Sequence, residues 1–457
     1  MPLRHRHPLT LTASGLLIFQ TPPPTRIITG AVLKQYTMAA TPDNPNNPTS
    51  PNSPAPAPTP ELRPAQTDRR YYWFLIIYLV LLSALGSFVN DMYTPSLPQI
   101  ARDFHSSPSQ SQLSLTMGMI GLAIGQLLLG PISDRYGRKP VLVISMLVFI
   151  AGAVISVFSK SMIFFLMCRL VQGMGASGGY FLARTIPADI FHGRELAKFM
   201  AIIGAVNGLA PASAPVLGGV IADYISWKAV FIFLAAFTVL ILTFIGKLKE
   251  SLYPQDRSKL PWYRTLPGYM VLLRNKAFVT HICLKGCSLG LLFTYISAAP
   301  FILENHYGFS QTMYGVIIGL NSIAVALGSM LSLRFHPFKK AVPVAALILV
   351  PAIGFGAYAL WHIHSFVWFE VCMVTMLFAG GMIFSVSNTL AMNEGRAKAG
   401  EASALLGVSG YIVGAVVAPL AGIGNVMHST AIVFLVLLAL VLVCSFLTYR
   451  LKPDLNS

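Results

Sequence analysis

From Tyr71 to the C-terminus the chain is a succession of apolar runs, each close to twenty residues, parted by polar turns. A run of that length crosses the roughly 30 Å hydrocarbon core of a bilayer as an α-helix, whereas a barrel strand needs only about ten residues. A helix satisfies its own backbone hydrogen bonds inside lipid, so these runs predict an all-α membrane protein. Only 11% of the 457 residues are charged and 55% are hydrophobic, where a soluble domain carries about 25% charged residues. One water-surrounded core cannot absorb so much apolar sequence. No catalytic constellation or large soluble domain accompanies the runs, so an enzyme is not expected.

Twelve runs can be counted, at about 72–97, 110–132, 141–158, 161–184, 197–222, 228–246, 277–301, 311–333, 341–360, 365–388, 399–422 and 430–448. The longest gap begins at Lys247 and divides them six and six. The expected organisation is a tail over 1–70, a six-helix bundle over 71–246, a linker over 247–276, a second bundle over 277–449 and a short tail over 450–457. The stretch "PDNPNNPTSPNSPAPAPTPELRPAQ" from Pro42 is too rich in Pro, Asn and Ser to bury a core and reads as disordered. The apolar "LTLTASGLLIF" before it lacks the small-residue cleavage site of a secretory signal, and Met38 is a second candidate translation start.

The net charge is +16, and the bases gather in alternate turns, a pattern of membrane orientation rather than nucleic-acid binding. One set of turns holds Arg135, Arg138 and Lys139, then Arg184, Arg194 and Lys198, the long central gap, Arg334, Lys339 and Lys340, and Arg396 and Lys398; the other set holds only Arg102, Lys160 and Lys228. Positive residues stay inside, so both termini and the central loop are expected in the cytoplasm, with the chain in a cell inner membrane. The alternation continues unbroken into the second half, which supports an even count of spans. Cys168, Cys283, Cys287, Cys372 and Cys444 all fall in apolar runs and read as small hydrophobes. Neither a metal site nor any other cofactor is expected from them, nor from His362 and His364, which have no acidic partner close in sequence.

Between the second and third runs the stretch "GQLLLGPISDRYGRKPVLVISM", from Gly125, interrupts apolar sequence with Asp134, Arg135, Arg138 and Lys139. Inside anchoring accounts for the bases. It does not account for Asp134, nor for Gly130, which lets helices approach, or Gly137, which permits a tight reversal. Asp134 could accept hydrogen bonds from a neighbouring helix N-terminus and be favoured by its dipole. These residues are therefore read as a conformational latch.

This pattern resembles the loop motif between the second and third helices of the major facilitator superfamily. The run "RLVQGMG" from Arg169 is similar to the family's buried-arginine motif, and "GAVNGLAPASAPVLGG" from Gly204 resembles the Gly-Pro-rich motif of its antiporter branch. With "NDMYTPSLPQI" from Asn90, "SAAPFI" from Ser297 and "AGEASALLG" from Ala399, the chain resembles the Bcr/CflA group of drug-proton antiporters over residues 72–448. The resemblance implies twelve helices in two six-helix bundles and alternating access. It also implies an antiporter motif at Gly204, Gly208, Pro211, Pro215, Gly218 and Gly219 that blocks leak. The family often shows Arg-Asp after the fourth span; here Asp189 follows Ala188, and Arg184 one turn earlier is the expected partner for it. The counterpart loop "SLRFHPFKKAV" from Ser332 keeps its bases but lacks the acid.

Ionisable groups within spans are costly in lipid and are functional candidates by default. Asp91, after about twenty mostly apolar residues, is the candidate proton-coupling carboxyl; a structural carboxylate near Pro95 and Pro98 is the alternative. The guanidinium of Arg169 cannot lose its proton and needs a partner. By resemblance it helps set the protonation state of the first span, with Gln172 close by. Lys285 in "CLKGCSLG" is a candidate cavity cation that would favour neutral, zwitterionic or anionic cargo over organic cations. Tyr93, Gln172, Asn207, Asn321 and Asn388 are further candidates for the cavity wall, and Glu370 and Glu401 read as helix-end carboxylates. "GMGASG" from Gly173 matches a dinucleotide fingerprint only literally, since no strand precedes it; close helix packing is the better reading.

The expectation is a proton-coupled secondary transporter that exports small drug-like molecules by antiport, with protons and membrane lipid as its other partners, no nucleic acid and a monomer sufficing. A metabolite transporter on the same fold is the alternative.

Overall fold

The computed structural model describes residues 68–257, 266–335, 337–362 and 365–450. The expected tails, apart from Asp68 to Arg70 and Arg450, and His364 lie outside them. Among the described residues twelve long helices follow one another. The first six are α1 (Arg69–Asp91), α2 (Pro108–Tyr136), α3 (Arg138–Val157), α4 (Met162–Ile190), α5 (Gly193–Tyr224) and α6 (Trp227–Thr243). The second six are α7 (Lys276–Pro300), α8 (Gln311–Ser332), α9 (Ala341–His362), α10 (Phe366–Glu394), α11 (Ala399–Leu420) and α12 (Val426–Arg450). Eleven are long and apolar enough to cross a membrane. The twelfth, α4, matches α2 in length, but Arg169, Gln172 and four glycines dilute its apolar run.

The helices begin where the sequence supplies a cap. Asp68 accepts hydrogen bonds from Arg70 N and Tyr71 N, Asn275 from Ala277 N and Phe278 N, and Ser107 forms a reciprocal capping box with Gln110 ahead of Pro108. Each satisfies amides that the first turn leaves open. The first apolar run does not remain one helix to residue 97, as its hydropathy suggests. It stops at Asp91, a 3-10 turn follows over Thr94–Ser96, and a short helix spans Leu97–Asp103. Pro95 and Pro98 lack the N–H groups that would continue the ladder. Other helices overrun their apolar runs: α4 reaches Ile190 and α10 reaches Glu394, because a helix can carry its last turns into water. The central gap contains a short helix, Leu266–Arg274, that its mixed composition concealed.

α4 packs against both α2 and α3, and α1 against α4 and α5. The α2–α4 crossing depends on missing side chains: a Cβ at Gly121 would stand 2.9 Å from Met174 N and 3.0 Å from Gly173 Cα. "GMGASG" is thus a helix-packing surface, as expected. One apolar core runs from Tyr71 to Leu248 with Phe301 and Ala415 added. A second runs from Leu284 to Val441. Large apolar side chains such as Ile163, Leu347, Phe355 and Val367 point outward, as they must on helices surrounded by lipid.

The two halves meet along α2–α11 and α5–α8. Hydrogen bonds tie the halves together near the face opposite the basic loops. Ser109 Oγ donates to Pro419 O at 2.8 Å, Gln112 Nε2 to Ser297 O at 2.9 Å and Thr116 Oγ1 to Ala415 O at 2.9 Å. Asp223, in the last turn of α5, accepts from Thr312 N at 2.7 Å and Gln311 N at 3.2 Å, capping α8 from the other half. Toward the basic face the α5 seam loosens, and a Cβ at Gly204 would meet nothing within 4 Å.

Candidate substrate cavity and latch

A cavity of about 570 Å³ lies between the halves, within the range of small-molecule sites. Asp91, Tyr180, Arg184, Tyr295 and Asn321 supply much of its polar wall, and leucines, isoleucines, Met376 and Phe384 much of the rest. Pro211, Pro215 and Gly204 of the expected antiporter motif also line it. Gly218 and Gly219 lie further along α5: a Cβ at Gly218 would press on Met92, and one at Gly219 would stand 2.8 Å from Gln311 C. The side chain of Asn207 and the surroundings of Gly208 lie outside what the structure describes.

Asp91 reaches the cavity because α1 ends there. It is 9% exposed and forms no ion pair with any described residue. Its own carbonyl accepts Thr94 Oγ1 at 2.8 Å, which braces the turn after the helix. Arg169, fully buried, does not reach the Asp91 carboxyl. Its Nη2 donates to Val89 O at 2.9 Å and lies 3.5 Å from Asn90 Oδ1, while Nη1 donates to Gln172 Oε1. The guanidinium also stacks 4.2 Å from the Tyr93 ring. It therefore holds the unsatisfied carbonyl end of α1, where a cation is favoured. Tyr93 and Gln172 belong to this buried cluster and are not among the cavity-lining side chains; the Tyr93 hydroxyl pairs with Ser114 Oγ at 3.0 Å.

In the second half, Lys285 and Asn388, expected on the cavity wall, are not among its lining residues, because they are drawn to each other. Nζ donates to Asn388 Oδ1 at 3.0 Å and Leu406 O at 2.8 Å, and sits 5.3 Å from the Phe384 ring. Asn321 Nδ2 donates to Glu370 Oε1 at 2.6 Å and to Tyr295 OH at 2.8 Å. Glu370 is thus a partner of two wall residues rather than a simple helix-end carboxylate. Sequence position near the start of a span hid this, because the partners come from α7 and α8.

The latch residues converge, with one exchange of roles. Arg138 Nε donates to Asp189 Oδ2 at 2.9 Å, and Nη1 donates to Asp134 Oδ1 at 2.5 Å and Ser133 Oγ at 2.6 Å. Asp134 was expected to cap a neighbouring helix; Glu250 does this instead, accepting from Arg138 N at 2.9 Å and Lys139 N at 3.1 Å. Ser251 Oγ donates to Asp189, and Lys139 Nζ donates to Leu248 O at 2.8 Å. The start of the central loop is therefore fastened to the latch, a role signalled in sequence only by a lone acid in "KLKES". Gly137 has φ 99°, as the tight reversal requires, with Glu250 and Arg257 so close that a Cβ would stand 2.8 Å from each. Gly130 faces the Phe181 ring at ordinary contact distance, and Arg135 lies 5.5 Å from the Tyr136 ring, outside the ion pairs. Arg184 does not pair with Asp189, contrary to expectation: Arg138 occupies that carboxylate, and Arg184 turns into the cavity with Nη2 on Tyr180 OH at 2.6 Å.

Twelve helices, two halves joined along α2–α11 and α5–α8, and a shared central cavity coincide with a sequence match over residues 79–419 to the Major Facilitator Superfamily. The chain belongs to that superfamily. Relatives of this superfamily member include the uncharacterized MFS-type transporter YdgK of Bacillus subtilis, 33% identical over 79% of this chain and 93% of the relative. The bicyclomycin resistance protein homolog of Haemophilus influenzae is 28% identical over 84% of this chain and 97% of its own. Among solved structures, an inward-facing, unoccupied bacterial homolog of the human lysosomal transporter Spinster covers 85% of this chain and all of its own, with TM-score 0.67 at 17% identity. The xylose transporter XylE of E. coli, partially occluded and inward open, has TM-score 0.64 at 12% identity over 85% of this chain and 99% of its own. The protein is a multi-pass membrane transporter of small molecules and not an enzyme.

Proposed function

We propose that this transporter is a Bcr/CflA-like exporter of small drug-like molecules that exchanges cargo for protons across a cell inner membrane. The observation that carries the reading is the position of Asp91: a carboxyl at the end of α1, on the cavity wall, with no ion-pair partner among the described residues. A carboxyl so placed can take a proton or meet cargo, and competition between the two is what exchange requires. Arg169 holds the α1 end that carries it and so acts as a positioning residue. Relatives named for bicyclomycin resistance and multidrug resistance support the cargo class.

The basic face is read as cytoplasmic. With the opposite seam closed, the structure then represents the inward-facing state, and rocking of the halves about the cavity would open the other side. The Arg138–Asp189–Glu250 cluster, with Asp134, acts as the latch on the cytoplasmic side. The expected division into two bundles joined by the 247–276 linker fits this scheme, and one chain suffices for the cycle. Lys285 and Asn388 form a polar pair beside Phe384 of the cavity wall, and Asn321 is a polar contact in the wall itself.

The test uses proteoliposomes with an internal pH dye, an imposed proton gradient and a panel of bicyclomycin- and chloramphenicol-like drugs, lipophilic cations, amino acids and nucleosides. Drug-dependent proton counterflow that disappears in Asp91→Asn is the expected result. Counterflow that survives in Asp91→Asn, or protons that move with a metabolite in the same direction, would overturn the reading.

A further inference from the structure

Arg184 is a cation that the latch does not use. It lies on the cavity wall in α4, and it forms no ion pair with any described carboxylate. Among the described residues its side-chain hydrogen-bond partner is neutral, the Tyr180 hydroxyl, and its guanidinium stacks on the same ring at 4.3 Å. The stacking fixes the plane of the guanidinium, and one hydrogen bond leaves further N–H groups of the five unused. Lys285 lies in the other half, in α7. Two of the three ammonium donors of Lys285 are taken, by Asn388 and Leu406, and Phe384, under which it sits, is itself part of the wall.

A guanidinium on the wall of a low-dielectric cavity, with no ion-pair partner among the described residues, is unfavourable unless something anionic joins it. The free donors of Arg184 set the chemistry, since a planar fork suits a carboxylate. We propose that Arg184 is an anion seat for the carboxylate of the cargo, with Lys285, beside Phe384 of the same wall, adding positive potential. The inference rests on the cavity being the transport site. It also narrows the cargo. Exchange requires the cargo to compete with a proton at Asp91, which an amine does and a simple anion does not. The favoured cargo is therefore an amphoteric small molecule with an apolar body, its carboxylate on Arg184 and its basic end toward Asp91.

The test is equilibrium binding in nanodiscs, without any proton gradient, using fluorescent probes that share one body. Nε-dansyl-lysine carries both a carboxylate and an amine, and dansylcadaverine lacks only the carboxylate. The parent should bind the first at least tenfold more tightly. Arg184→Gln should abolish that preference while still binding dansylcadaverine, which also shows that the variant is folded. Arg184→Lys should retain part of the preference, and Lys285→Gln should reduce it. Equal or absent binding of the two probes by the parent, or a full preference surviving in Arg184→Gln, would overturn the proposal. Loss of drug counterflow in the liposome test would leave this binding preference standing, so the two readings fail separately.

Discussion

Replacing Arg138 with Gln should expose how the latch is held. The Arg138 side chain is 6% exposed and Asp189 16%, so their bond is largely shielded from water. Asp134 is 48% exposed, and that arm contributes about 0–1 kcal/mol. Removing the guanidinium leaves Asp189 charged, with Ser251 Oγ as its remaining hydrogen-bond donor. A shielded charge stripped of its partner costs about 3 kcal/mol, and on a half-molecule of this size that lowers the melting temperature by roughly 6–12 °C. Scanning fluorimetry in nanodiscs reads the shift. The diagnostic is the double variant Arg138→Gln, Asp189→Asn. Since it has no stranded charge, it should be more stable than Arg138→Gln alone, and Asp134→Asn should differ little from the parent. A double variant whose loss equals the sum of the two single losses would refute the reasoning, because contacting partners cannot be independent.

Gly315→Val should block the present closed seam without unfolding the halves, because even a Cβ there would stand 2.7 Å from Pro215 C and 2.8 Å from Val216 Cα; cysteine labelling at Ser96 should rise while transport is lost. Asp223→Ala removes the acceptor for two α8 amides and for Thr312 Oγ1. A lost cap of about 1 kcal/mol should shift the halves roughly fivefold toward opening on that face, read as a changed distance distribution between spin labels on α5 and α8. Glu370→Gln should keep proton counterflow, since a carboxyl hydrogen-bonded by Asn321 and Tyr295 is not the exchanging group in this scheme; loss of counterflow there would move the coupling out of the first half.

The sequence by itself determined the class of molecule. Apolar runs of bilayer length leave an α-helix as the one way to satisfy the backbone in lipid, so the count of spans and their rough limits were legible without coordinates. The glycines of "GMGASG", the reversal at Gly137 and the exposure of Asp91 to a cavity were legible for the same local reason, since each follows from what one residue can or cannot do. Partnership was not. Arg184 and Arg138 are both bases near Asp189 in the fold, and only packing decides that Arg138 takes the carboxylate and leaves Arg184 facing the cavity. Glu250 is 111 residues from the amide of Lys139 that it caps, and Glu370 finds Asn321 and Tyr295 on two other helices. Apolar pattern marks which segments enter the membrane, but in a bundle of twelve similar helices it does not specify which faces meet. The small-residue crossings and the few buried polar bonds do, and these exist only once the helices have packed.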